Sequence, residues 1–556
     1  MKILHRLRPY LLAAGALVLV NLAAQWAYAR WDLTEDGRFT LATPSVKALQ
    51  RLDGPIVVDL LLDGDLPPEF ARLQRETVLL LEQFSESHPQ LHFEFLDPVT
   101  EAETTPGILD QLQAMGMKAA SVTTEEGGRV SQEVVFPWAV VNHGDRSEVV
   151  PLLRNLLGAD TEARVNRSIQ NLEYAFADAF TKLGITDPKK IAVLKGNGEV
   201  EDRYLADYLG QLGAYYRIAP FTLDSVDQNP KGTLEALETF DAALIAKPTE
   251  GFTDAEKLVL DQFMVRGGRT LWLIDPVAME MDSLRNRDGQ SAALPRDLNL
   301  DDLLFRYGVR LNRDLVADLF CTQIVLATGS GTEAQYDPLP WVYNPMVISR
   351  EDHPLNTNTE ALRMQFASSL DTLENAYRKT ILYRSSPRSR PEGAPRLISL
   401  DIIRQEPNPE AFQPGNLPLA VLVEGAFQSA YRNRVLPADA GAFTEQGPEN
   451  KMIVVADGDL ASNAIREGRP LELGYDPWTN NFYGNRDFLV NAMNYLLEDT
   501  GLINIRNKQV AIPMLDPART AAGRSGWQWL NLGVPLLLVF LGGAGAHFWR
   551  KRHYGG

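Results

Sequence analysis

Two long apolar runs, one towards each end of the sequence, form its strongest hydrophobic pattern. The first runs from Tyr10 to Ala29 and the second from Trp527 to Trp549, and neither contains a charged residue. Basic residues flank both runs on their outer sides: Lys2, Arg6 and Arg8 before the first, and Arg550, Lys551 and Arg552 after the second. A helix of about 20 residues is roughly 30 Å long and crosses the hydrocarbon core of a bilayer, and cationic flanks resist translocation. We therefore predict membrane-spanning helices within residues 1–29 and 527–556, with both tips in the cytoplasm and the region between them in the periplasm.

The first run also fits a second interpretation, a cleavable signal peptide. Ala27-Tyr28-Ala29 has the small-residue pattern of a cleavage site. The run is nevertheless longer than the apolar core of a usual signal peptide, and Trp26 and Tyr28 are typical of a retained helix at the membrane interface. We expect the helix to be retained, and the sequence leaves cleavage open.

The pattern after the first run predicts a small α/β domain over residues 30–153. Its elements are a short helix Val46–Leu52, a strand Pro55–Leu62, an amphipathic helix from Pro68 to Phe84, a strand Leu91–Leu96, and a hairpin with arms Glu133–Val141 and Ser147–Leu153. An amphipathic helix over Thr161–Leu183 follows and is predicted to serve as a linker, within residues 154–186. The domain therefore begins with a β-α-β unit.

Residues 187–514 alternate regularly between strand and helix patterns. Strands are predicted at Ile191–Lys195, Arg217–Leu223, Ala242–Ala246, Thr270–Ile274, Leu419–Val423 and Met452–Ala456, with helices at Asp202–Leu212, Leu234–Leu237, Asp254–Arg266 and Asp487–Leu497. Such alternation indicates a larger α/β domain with a mostly parallel sheet and right-handed crossovers. Ser283–Asp297 is predicted to be a surface loop, Arg384–Pro395 and Ala438–Asn450 are predicted to be mobile, and residues 515–526 connect the domain to the second span.

Composition and charge narrow the possible functions. The formal net charge is −18 and the basic clusters flank the apolar runs, so the exported region is acidic. An acidic surface argues against binding to nucleic acid or docking on anionic lipid. Cys321 is the only cysteine, which excludes an intramolecular disulfide, and the seven histidines are scattered.

Polar residues follow several predicted strands, at the edge where parallel sheets bind ligands. These candidate ligand-binding residues are Gly196, Asn197, Gly198 and Glu199 after the first strand, Lys247 after the third, Asp275 after the fourth, and Asp457, Asp459 and Asn463 after the last. A glycine turn exposes backbone N–H groups to an anion, and carboxylates position polar ligands. Gly and Asp also end strands and cap helices in proteins of every function, so a purely structural role is the alternative.

Motifs of the common enzyme classes are missing from the sequence. It contains no G-x-x-x-x-G-K-[ST], no G-x-S-x-G and no H-E-x-x-H. Asp457-Gly458-Asp459 has the Asp-x-Asp form of some phosphatase nucleophiles, and Cys321 lacks the strand-to-helix turn of an amidotransferase nucleophile. We therefore expect a non-enzymatic protein with no catalytic residue, no cofactor and no bound metal.

Motifs along nearly the whole chain resemble GldG, the auxiliary subunit of an ABC transporter associated with gliding motility. They are Asp32–Glu35, Arg38–Leu41, Gly196–Glu199, Lys247–Glu250, Asp261–Gly268, Leu300–Asn312, Val423–Phe427, Val455–Asp459 and Tyr483–Asn485. The turn Gly-Asn-Gly-Glu departs from the Gly-His-Gly-Glu form of relatives.

The resemblance implies a bacterial inner-membrane protein that works with a multi-span permease and a separate cytoplasmic ATPase. It also implies that the larger domain has an amidotransferase-like fold without catalytic residues.

Three functions follow from the sequence: an auxiliary subunit that binds partner subunits or cargo, a cargo receptor that uses the loops at the sheet edge, and a cryptic metal-dependent hydrolase built on Asp457 and Asp459. The first is the function that we expect.

Overall fold

A computed structural model describes residues 15–17, 20–21, 40–98, 107–126, 129–328, 335–349, 353–497, 501, 505 and 523–555. The chain divides into two compact units, Met1–Gln509 and Val510–Gly556. The first unit is a mixed α/β structure, as the sequence predicts, and contains both of the larger sheets. The likeness to an amidotransferase fold stays a prediction.

The first part of this unit is built on a four-stranded sheet with the order β2-β1-β5-β6. Its elements are α1 (Thr43–Gln50), β1 (Ile56–Leu60), α2 (Pro68–Ser87), β2 (Leu91–Phe95), α3 (Ile108–Ala114), β3 (Ala120–Glu126), β4 (Arg129–Val135), β5 (Trp138–His143), β6 (Arg146–Pro151) and α4 (Thr161–Leu183). Strands β1 and β2 are parallel across α2, which confirms the β-α-β start. The predicted hairpin arm Glu133–Val141 is wrong, because it is divided between β4 and β5. Pro137 lies at the break, and proline has no N–H for a strand ladder.

Helix α4 has the predicted bounds, and its apolar side chains are part of a core; its role as a linker stays a prediction. Phe176 and Phe180 are fully buried, and the Phe180 ring meets that of Phe84 edge-on at 5.0 Å. Asp160 caps the helix by accepting a hydrogen bond from the Ala163 N–H at 2.8 Å. The apolar stripe that predicted the helix is therefore the face that packs against α1 and α2.

The second part begins with β7 (Lys190–Lys195), α5 (Asp202–Gly213), β8 (Arg217–Thr222), α6 (Pro230–Leu237), β9 (Ala242–Ala246), α7 (Asp254–Val265) and β10 (Arg269–Leu273). The intervening elements are β11 (Val277–Ala278), β12 (Gln290–Pro295), α8 (Asp301–Arg306), β13 (Val309–Leu311), β14 (Asp314–Asp318), β15 (Cys321–Thr328), β16 (Gln335–Val347), β17 (Leu362–Arg363), β18 (Leu370–Thr372), β19 (Arg378–Arg384), β20 (Ser389–Gly393) and β21 (Arg396–Ser399). It ends with β22 (Pro418–Gln428), β23 (Gln446–Val455), β24 (Ile465–Arg466), β25 (Arg469–Pro470), β26 (Tyr475–Asp476), β27 (Asn481–Phe482) and α9 (Asn485–Leu497).

Seven of these strands form the larger sheet, in the order β19-β22-β23-β10-β9-β7-β8. The five strands from β23 to β8 are parallel, and β22 alone runs the other way, pairing antiparallel with both β23 and β19. The prediction of a mostly parallel sheet is therefore confirmed. Alternate residues face opposite layers: Ile191 packs in a core with α5 and α9, and Ala192 packs in a core with α6 and α7. Both faces of the sheet are covered, which explains the continuous apolar strands.

The segment between β10 and β22 has small sheets and a core of its own around Trp341, Tyr343 and Phe366. The predicted loop Ser283–Asp297 is wrong in part, since it contains β12, which pairs Gln290 with Ser399 of β21. The two segments predicted to be mobile also contain strand residues, from β20 and β23. These strands pair with partners distant in sequence, which a local pattern cannot show.

The second unit contains α10 (Arg524–Tyr554), which begins inside the predicted connection 515–526. Among the described residues it alone is long and apolar enough to cross a membrane. Of the first predicted span, residues 15–17 and 20–21 are helical, and the other residues of Tyr10–Ala29 lie outside the described residues. Two spans are therefore not confirmed.

Candidate functional site

The carboxyl ends of β9, β10 and β23 bring four of the predicted site residues together around the ammonium of Lys247. Its Nζ lies 2.6 Å from Asp459 Oδ1 and 3.8 Å from Asp275 Oδ2. Asp457 joins them by accepting a hydrogen bond from the Asp459 N–H at 2.8 Å. Because the three strands are neighbours in the sheet, residues distant in sequence meet at one edge.

Two members of the site escaped the sequence analysis. Glu280 lies beyond β11 and places a carboxylate oxygen 2.8 Å from Lys247 Nζ. The Gln365 N–H donates to Asp457 Oδ2 at 2.9 Å. The other site residues were predicted because they directly follow a strand of the larger sheet. Neither Glu280 nor Gln365 does so. We call Lys247, Asp275, Glu280, Asp457 and Asp459 the lysine-centred cluster.

Close backbone approach shapes the cluster. Lys247 has a φ of 53°, in the left-handed region that few non-glycine residues adopt. A Cβ on Gly458 would lie 2.7 Å from Lys247 Cγ and 2.8 Å from Asp275 Oδ2. The Gly458 N–H also donates to Asp275 Oδ1 at 2.5 Å. Glycine is therefore the residue that lets the β23 turn reach the lysine.

The charged groups of the cluster shift one another's pKa values. Burial raises the pKa of Asp275 to about 7, with Asp459 adding to the rise and Lys247 opposing it. Burial also raises the pKa of Asp457 well above its ordinary value, and Asp275 and Asp459 raise it further. Burial lowers the pKa of Lys247, but Asp459, Asp275 and Glu280 outweigh that effect and raise it overall. The lysine stays cationic, and its one positive charge faces the carboxyl groups of Asp275, Glu280 and Asp459.

Three of the carboxylates have the spacing of a cation site. Oxygens of Asp275, Glu280 and Asp459 all lie within 4.8 Å of one another. Carboxylate oxygens suit hard cations such as Mg²⁺. Lys247 Nζ already bonds or faces each of these three groups, so its ammonium offsets part of their negative charge. The arrangement as it stands ties three strands together.

The predicted turn Gly196–Glu199 lies one strand further along, at β7. The carbonyl of Asn197 accepts hydrogen bonds from the N–H groups of Thr249 and Glu250, at 3.0 and 2.9 Å. Gly198 has a φ of 71°, and a Cβ there would clash with Thr249. The chain's own loop after β9 therefore packs against the turn, and binding of an anion by the backbone N–H groups of the turn stays a prediction.

The turn also contains two buried acceptors that lack a hydrogen-bond partner among the described residues, Asn197 Oδ1 and Glu199 Oε1. Burial raises the pKa of Glu199, while the Glu199 and Asn197 N–H groups and Lys195 lower it. Asn463 does not join either group, because its Oδ1 accepts from the Asp207 N–H and its Nδ2 donates to the Arg203 carbonyl. Asn463 thus fixes helix α5.

Comparisons with known proteins bear on both parts of the first unit. A family described as ABC-type uncharacterized transport system matches residues 188–492, more than half of the chain. A domain of unknown function, DUF7088, matches residues 35–142. No curated protein matches the chain. Among solved structures, the "mmIFT52 N-terminal domain" covers 56% of this chain and 98% of its own, with 13% sequence identity and a TM-score of 0.33, which is too low to carry an argument.

Proposed function

Because this chain belongs to the family of ABC-type uncharacterized transport systems and is thus a transporter-associated auxiliary protein, we propose that it is a membrane-anchored, non-enzymatic subunit. In this proposal its α/β region binds partner subunits or cargo. The observation that carries the proposal is the extent of the family match, which spans the larger sheet from β7 into α9. In this proposal ATP hydrolysis takes place on a separate cytoplasmic ATPase, in line with the missing P-loop motif.

Helix α10 supports the membrane anchor. It has 31 residues, and Lys551, Arg552 and His553 lie in its last turn. Basic residues at that end favour a cytoplasmic tail, and in this proposal the preceding α/β region lies on the periplasmic side of the inner membrane. A multi-span permease is then the partner nearest to the helix. The resemblance to GldG extends the proposal to a transporter associated with gliding motility.

Affinity capture from detergent-solubilised membranes tests this proposal. The full chain with an affinity tag should co-purify with a permease and an ATPase. A matched control replaces Trp527–Trp549 by a leucine helix of equal length and keeps the basic tail. We expect this control to retain the partners, because the proposal assigns their binding to the α/β region. Recovery of the chain alone, or loss of the partners in the control, would contradict that assignment.

A cargo receptor at the sheet edge is a second candidate, favoured by Asn197 Oδ1 and Glu199 Oε1, which have no hydrogen-bond partner in the part of the chain that the structure describes. Glu199→Gln should then abolish transport-dependent motility and leave partner capture intact. Glu250→Gln is the matched control, since Glu250 is exposed on the adjacent turn. Equal motility of the two variants would remove this candidate.

A metal-dependent hydrolase at Asp457 and Asp459 has less support, because Lys247 already neutralises Asp459. We expect the full chain to show no Mg²⁺-dependent turnover of a phosphoester such as p-nitrophenyl phosphate. Turnover that Asp459→Asn abolishes would overturn the non-enzymatic proposal.

A further inference from the structure

A pocket of about 420 Å³ lies in the segment between β10 and β22, and none of the residues that line it belongs to the lysine-centred cluster. Its walls come from the turn after β14, the end of β16 and the loop between β19 and β20. The volume is within the range of small-molecule sites, about 300 to 1,000 Å³.

The pocket is apolar over much of its wall. Leu319, Phe320, Met346 and Ile348 contribute to it. Phe320 is 42% exposed and Ile348 53% exposed, although both are large apolar side chains. An aliphatic ligand that covers them gains free energy from the apolar area that it removes from water.

Hydrogen bonds hold the walls in place before any ligand enters. The buried carboxylate of Asp318 accepts from the Phe320 N–H at 2.8 Å and from the Ser386 N–H at 2.7 Å, so it ties the two walls together. The Asn416 N–H donates to the Ser386 carbonyl at 2.9 Å and fixes the third side. A preformed pocket loses little conformational freedom on binding.

Arg388, in the loop between β19 and β20, adds positive charge to the lining of the pocket. Arg388 donates to the Pro409 carbonyl at 3.3 Å, and no carboxylate in the part of the chain that the structure describes forms an ion pair with it. A guanidinium has five N–H donors and binds carboxylates through two parallel hydrogen bonds. An arginine beside an apolar pocket favours an anion with an apolar body, and here it does so locally in a chain whose formal net charge is −18.

We infer that this pocket binds an aliphatic monocarboxylate, with the alkyl chain against Phe320 and Ile348 and the carboxylate on Arg388. The site goes beyond the proposed binding of partner subunits. Its test needs no transporter, so either idea can fail without the other.

Isothermal titration of the full chain in amphipol with hexanoate tests the inference, with hexanamide as the uncharged ligand of equal length. Hexanoate should bind at least tenfold more tightly than hexanamide. Arg388→Gln should abolish that preference and leave hexanamide binding unchanged, whereas Arg388→Lys should keep part of the preference. Arg285→Gln is the matched control, because Arg285 is 75% exposed and pairs with Asp282 on the surface.

The Ile348→Ala variant and a tripeptide ligand provide two further tests of the pocket. Ile348→Ala should weaken hexanoate and hexanamide alike, since it removes apolar contact only. Equal binding of the two ligands by the unmodified chain, or no binding of either, would overturn the inference. A tripeptide with a free carboxylate that binds tenfold more tightly than hexanoate would overturn it in favour of a peptide terminus.

Discussion

Single residues decide how closely the strands of the larger sheet meet at the lysine-centred cluster. Gly458 has an ordinary φ of −75°, so space rather than backbone strain requires glycine there. Gly458→Ala would push a methyl group against Lys247 and Asp275. We expect a loss of about 1 to 3 kcal/mol in the free energy of unfolding, typical of an overpacked site. Chemical denaturation measures it, with Gly210→Ala as the control. Gly210 lies in α5 with nothing within 4 Å of its added Cβ, and alanine should be neutral or stabilising there.

The raised pKa of Asp275 predicts how the stability of the fold depends on pH. Between its ordinary pKa of 3.8 and its raised pKa of about 7, the folded chain holds a proton that the unfolded chain has lost. Stability therefore falls as pH rises through this window, and the contribution of Asp275 becomes constant above it. Asp275→Asn should flatten the dependence of the melting temperature on pH between 4 and 7. Asp282→Asn is the control, since Asp282 is 81% exposed. An equal slope in both variants would exclude Asp275 as a source.

The sequence predicted those site residues that directly follow a strand, among them Lys247, Asp275 and Asp457. An apolar run with a polar end is a local signal, and parallel pairing then brings such ends together. Glu280 and Gln365 reach the cluster from the intervening segment, whose path depends on tertiary packing. Whether any of these residues binds a ligand stays a prediction.

At the scale of elements, the first turn of helix α7 contacts the turn Gly196–Glu199. Thr253 Oγ1 accepts from the Glu256 N–H at 3.2 Å, and Glu256 Oε2 accepts from the Thr253 N–H at 2.7 Å. Glu256 also accepts a hydrogen bond from Asn197 Nδ2 at 3.3 Å. Thr253→Ala should lower the free energy of unfolding by about 1 kcal/mol, because the helix loses its capping hydroxyl. Thr253→Ser keeps the hydroxyl and should restore most of the stability. A serine variant as unstable as the alanine variant would attribute the loss to the missing methyl group.

Elements with a strong local pattern have the bounds that the sequence predicts. Helix Thr161–Leu183 has a continuous apolar stripe, and strand Ala242–Ala246 is an apolar run between polar residues. Strands β12 and β20 lack such signals. Ser389–Gly393 contains two charged residues and a proline, and it becomes a strand because β14 pairs with it. Tertiary context decides these short strands.

At the scale of the whole molecule, the sequence predicts a second membrane-spanning segment besides the one proposed for α10. Tyr10–Ala29 is uncharged and long enough to cross a bilayer, and Trp26 and Tyr28 suit its interface. A chain that ends at Gly523 lacks α10 and keeps this run. If the run is retained as a helix, the shortened chain should stay with the membrane fraction after carbonate extraction. If a signal peptidase cleaves it near Ala29, the shortened chain should become soluble in the periplasm. Val18→Asp, in the middle of the run, is the control, because a charge there disfavours insertion into the membrane. We expect the shortened chain without that change to remain in the membrane.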